Sequence, residues 1–173
     1  MFDMTREQRL RRVARLCIHF TRNLAYSRVI HSSVQEKREG DFWITMQGNC
    51  LDTSVLEWCK LFGEEKGKHA WNKIIDDADK FKSKLLEHLN INEEIWESKV
   101  TELRTYRDAF VAHLDSDETM GIPEMDLPFD MVKYYFNDIL GYKNEDNIFR
   151  GIPKDLNNFY LEHCDEAASK TNI

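Results

Sequence analysis

The run "TYRDAFVAHLD", residues 105–115, sets an arginine six positions ahead of a histidine. Arg107 cannot shed its charge, and its planar fork of N–H donors matches phosphate oxygens. His113 titrates near neutral pH, which suits giving and taking protons. Asp108, beside the arginine, can orient either side chain. A permanent cation and a titratable base in one place are the ingredients for work on a phosphate ester. Plainer readings stand beside this one. Arg107 can be a structural cation paired with a carboxylate of another helix. His113 can cap a helix end, where its charge is mildly favoured. His113, Asp115 and Asp117 could also hold a metal, but they are loop residues with no second cluster near them in sequence, so no metal is assigned. The adjacent His163 and Cys164 suggest a thiol nucleophile only weakly, because neighbours on a helix point in different directions.

The segment that must position Arg107 reads as a helix over about 92–112. At 100° per residue, Trp96, Val100, Leu103 and Phe110 form its buried stripe. Arg107 follows Val100 by seven residues, so it lies about 20° from that stripe and points inward or into a cleft beside it. His113 falls on the neighbouring line of Ile95, Glu102, Tyr106 and Ala109. In a straight helix Arg107 and His113 would stand about 120° apart around the axis and ~9 Å along it. A helix end, a kink or a second copy of the helix is needed to bring them together.

The rest of the chain predicts an all-α, up-and-down bundle of five to six helices in one domain, 1–173. Only 7 Gly and 3 Pro interrupt it. The first helix is expected over about Thr5–Glu39, with Thr5 and Gln8 as a capping box. Leu10, Val13, Cys17, Phe20 and Leu24 form its stripe. The second is expected over 42–62, capped by Asp41, with Trp43, Met46 and Cys50 on its buried side. Gly48 suggests a close helix approach there, and Gly63 a C-cap. A helix over 69–89 should break near Asp76–Asp77. Asn90 with Glu93 marks the next start. An acidic, flexible loop is predicted over about 114–127, then a helix over 128–140. A last helix starts near Pro153 and frays over 168–173. Cys17 and Cys59 read as small core residues.

The net charge of −7 argues against simple nucleic-acid affinity, but it is unevenly spread. Residues 1–38 carry nine Lys and Arg against three Asp and Glu, which leaves −13 on the remainder. Arg11, Arg15 and Arg22 share one face of the first helix and are the candidate contacts for an RNA backbone. A solvated helix face is the simpler reading of that row. No apolar run of membrane-spanning length and no signal-peptide h-region occurs, so a cytoplasmic chain without membrane association is expected. No cofactor motif is visible.

An Arg, a polar residue, a few mostly apolar residues and a His near the end of a bundle helix resemble the HEPN superfamily, whose signature is R-x(4–6)-H. Five residues separate Arg107 from His113, inside that range. The run "RDAFVAHLD" is similar, more narrowly, to an abortive-infection branch of the superfamily. The resemblance implies a metal-independent endoribonuclease, acting as a homodimer in a toxin or phage-defence setting, with an antitoxin or other partner protein. His113 would handle protons at the RNA 2′-hydroxyl and the leaving oxygen, giving 2′,3′-cyclic phosphate ends. Arg107 would hold the phosphate, and a two-fold axis would place two copies of each residue in one cleft. The chain departs from part of the superfamily in carrying Asp115 where a modifiable Tyr stands two residues after the His. Asp115, Asp117 and Glu118 would repel phosphates unless they point away. The rival expectation is a non-catalytic helical scaffold that dimerises or holds a partner.

Overall fold

A computed structural model describes residues 4–37, 40–64, 66–112, 121–142 and 148–171, and the side chains of these other than 34–37 and 110–112. Seven α-helices and no strand occur among them: α1 (Arg6–Lys37), α2 (Asp41–Trp58), α3 (Trp71–Ile74), α4 (Ala78–Leu89), α5 (Glu93–Tyr106), α6 (Asp126–Leu140) and α7 (Leu156–Thr171). α2 and α5 each run on into a wider π turn, Cys59–Gly63 and Arg107–Ala112. The all-α reading holds. The count exceeds five to six because α3 and α4 are separate pieces.

α1 is the central element. Its start is the capping box: the Thr5 N–H donates to Gln8 Oε1 (3.0 Å) and the Gln8 N–H to Thr5 Oγ1 (3.2 Å). Leu10, Val13, Cys17, Phe20 and Leu24 are all buried, as their spacing requires. Contacts along α1 fix the topology. Ser27 Oγ donates to the Gln47 carbonyl, so α2 turns back along α1. Arg28 pairs with Asp126 while Arg6 lies over the Tyr142 ring, so α6 is also antiparallel to α1. Tyr26 bonds Glu166 (2.6 Å) and Ser33 bonds Thr171 (3.1 Å), so α7 runs parallel to it. Trp58, Phe62, Trp96, Phe81 and Tyr135 interlock as edge-on and tilted rings in one contiguous core.

Several local expectations are corrected. Asp41 lies inside α2 rather than capping it; Gly40, at φ 65°, precedes the helix with no side-chain cap. Met46 is exposed and Trp43 half-buried, because the first turns of α2 extend past the core. Gly48 meets nothing, whereas a Cβ on Gly63 would come within 3.3 Å of Arg104 Cγ and of Cys59. The close approach is therefore at Gly63, which sits inside the π turn instead of capping it. Asn90 ends α4 in the left-handed conformation (φ 52°), and Asn92 caps α5 by accepting from the Ile95 N–H (2.9 Å). The break before α4 is present, with Asp77 accepting from the Lys80 N–H (3.1 Å). α6 begins at Asp126, two residues inside the span predicted as loop, and Pro128 sits in its first turn. α7 begins at Leu156 and stays helical to Thr171, whose hydroxyl packs on Ser33, so the fraying expected from 168 is not present through 171.

Candidate functional site

Arg107 stands where α5 passes into its π turn, on the edge between the core and solvent. Leu103 and Tyr106 just before it are buried and anchor this end of the helix. Tyr106 reaches across to α2 and donates its hydroxyl to Asp52 Oδ1 (2.8 Å). Burial first, and the Asp52 carboxylate second, raise the phenol's pKa, so the proton stays on the tyrosine. The Cys59 Sγ–H points at the Leu103 carbonyl (3.7 Å). Gly63 lets the first π turn lie against Arg104. These contacts clamp the end of α5 onto the end of α2.

The Arg107 guanidinium is held by two carboxylates. Its Nε donates to Asp108 Oδ1 (2.8 Å) and its Nη1 to Glu64 Oε1 (3.0 Å). Its side chain is 16% exposed, against 47% for Glu64 and 61% for Asp108. The Asp108 hydrogen bond is the leading cause of its raised pKa, so the charge is permanent. Asp108 thus orients Arg107, one of the two roles its position suggested. Glu64 is the residue the sequence reading missed. It lies 43 positions away in sequence and directly follows the π turn over 59–63.

His113 lies outside the described residues, as do Asp115, Asp117 and Glu118, so the structure does not bear on whether His113 meets Arg107. The wider π turn does change the arithmetic between them. A π turn closes on i→i+5 bonds, so residues after Arg107 leave the 100° phase used above.

The three candidate RNA contacts on α1 are unequal. Arg11 is used inside the fold: its guanidinium donates to the carbonyls of Ile148 and Arg150 and holds the turn before α7. Arg15 is exposed, and Arg22 is half-buried with its charge near Tyr26. A second basic row, Arg6, Arg9 and Arg12, faces the segment 66–76, which carries Lys66, Lys68 and Lys73. Among the described residues no group of three His, Cys, Asp or Glu is placed to hold a metal ion. No helix among them is long and apolar enough to cross a membrane. No family model, no curated protein and no solved structure matches this chain.

Proposed function

We propose that this chain is a HEPN-type, metal-independent endoribonuclease that works as a homodimer in a toxin or phage-defence setting. One observation carries the reading beyond the motif itself. The first residues of the motif, Arg107 to Ala112, form a π turn at the end of a bundle helix, with the guanidinium pre-aimed by Asp108 at the protein's edge. π turns inside helices are frequent at functional sites, where the extra residue redirects side chains. An arginine fixed by one neighbouring carboxylate has less rotamer freedom to lose when it meets a phosphate. In this proposal Arg107 binds the scissile phosphate, His113 moves the protons, and cleavage leaves a 2′,3′-cyclic phosphate.

A second reading, a non-catalytic scaffold, is favoured by the Arg107–Glu64 pair. It spends the same guanidinium on joining the ends of α2 and α5. Purified protein should cut RNA in excess chelator and leave 2′,3′-cyclic ends. His113→Ala should lose roughly 10²–10⁴-fold in rate while remaining folded. Cleavage only with added divalent metal, or full activity in His113→Ala, would reject the proposed mechanism. Absence of cleavage by a dimeric, folded protein would leave the scaffold reading in its place.

A further inference from the structure

In the basic row Arg6, Arg9 and Arg12, Arg6 pairs with Asp76 and lies over the Tyr142 ring, and Arg9 Nε donates to the Met4 carbonyl (3.2 Å). Arg6, Arg9 and Lys73 line a cleft of about 370 Å³ between the start of α1 and the 73–76 stretch. The nearby His69, whose Nδ1 is buried without a hydrogen-bond partner, feels the charges of Arg12, Lys60 and Lys68. Burial lowers the pKa of this imidazole, and the charges of Arg12, Lys60, Lys68 and Arg9 push it the same way. The cations therefore converge in space from three separate stretches of chain: the first turns of α1, the π turn after α2, and residues 66–73. Arg6 is neutralised by Asp76 (2.8 Å) and Lys60 by Glu57 (3.2 Å). Among the described residues, Arg12, Lys68 and Lys73 form no ion pair, and all three are exposed. Like charges gathered this closely repel one another, and an external anion relieves the repulsion.

We infer that Arg9, Arg12, Lys60, Lys68 and Lys73 form the face that holds the phosphodiester backbone of single-stranded RNA. A single phosphate needs one or two such groups. Arg9, Arg12, Lys68 and Lys73, with an open cleft at one end and Lys60 beside its Glu57 partner, fit a run of phosphates. The face adjoins the candidate site along the chain. Lys60 lies in the π turn that ends at Gly63, and the next residue, Glu64, holds Arg107. RNA tracked along this face would be led toward the end of α5. The identity of the polyanion as RNA rests on the ribonuclease reading; the convergence of the cations does not.

The test is fluorescence anisotropy with a labelled, 2′-O-methylated oligouridine, which binds as RNA does but cannot be cut. If three to five phosphates are engaged, log K should fall with log salt at a slope of roughly −2 to −3.5, at ~0.7 per phosphate for a single strand. Arg12→Glu with Lys68→Glu should weaken binding at least about tenfold at low salt and flatten the slope by about 1.4. Helix content by circular dichroism should be unchanged, since neither side chain packs in the core. Bound oligonucleotide should also raise the pKa of His69 in an NMR titration. Binding reduced less than twofold with an unchanged slope would overturn the assignment, as would a loss that instead follows Arg15→Glu with Arg22→Glu. Displacement of the oligonucleotide by an equimolar phosphoserine peptide would give the face to a phosphoprotein and also overturn it. Failure of the ribonuclease reading is separate: the wild type would bind the methylated strand here yet never cut unmodified RNA.

Discussion

Arg107→Ala separates a structural arginine from a chemical one. The substitution removes two ion-paired hydrogen bonds, to Asp108 at 2.8 Å and to Glu64 at 3.0 Å. Both carboxylates are about half exposed or more, so each pair falls near the range for solvent-accessible ion pairs, about 0.2–1 kcal/mol. Burial of the arginine's aliphatic stem adds a packing contribution. The expected cost is about 1–2 kcal/mol. In a chain of this length that lowers Tm by roughly 2–8 °C, at about 2–4 °C per kcal/mol. Glu64→Gln keeps an acceptor beside Nη1 and loses only the charge, so it should cost under about 1 kcal/mol. Urea denaturation followed by circular dichroism reads both values, and RNA cleavage is measured on the same samples. The proposed chemistry requires Arg107→Ala to lose cleavage by about 10²-fold or more, far beyond what a small fall in the folded population explains. A stability loss above about 4 kcal/mol would show that this account of a lightly buried arginine is wrong. Intact cleavage with only the predicted stability loss would assign Arg107 to scaffolding.

Tyr106→Phe should cost about 1 kcal/mol in urea denaturation, because it deletes the bond to Asp52 while keeping the ring in the core. A change within measurement error would mean that the phenol does not help clamp α5 to α2. Cys59 gives a pH dependence: burial raises its thiol pKa from 9.0 to about 11. The folded state therefore binds the proton more tightly than the unfolded chain, and this contribution is fully present below pH 9 and lost as pH rises toward 11. Replacing Cys59 with Ser, compared with wild type from pH 8 to 11, should flatten part of the alkaline fall in stability. Rapid alkylation of Cys59 in the native protein at pH 8 would contradict the burial on which this rests.

Much of the architecture was legible because period and capping are local. Thr5 and Gln8 lie three residues apart, so their reciprocal bonds could be read from sequence, and the 3–4 spacing of Leu10 to Leu24 required one buried stripe whatever the partners were. The helix break before Ala78 was visible for the same reason. Other features depended on where separate elements end. Met46 has helical spacing yet is exposed, because the core stops short of the first turns of α2. Gly48 and Gly63 look alike in sequence, and only the path of α5 makes the second a contact point. Arg11 and Arg12 are adjacent basic residues. One is occupied by the carbonyls of Ile148 and Arg150, while the other joins a cluster with Lys60 and Lys68. The inward lean of Arg107 followed from its phase relative to Val100, but its partner Glu64 did not. Helical phase is set by residues within a few turns, whereas a charge partner 43 positions away is set by how two helices, each ending in a π turn, come to lie side by side.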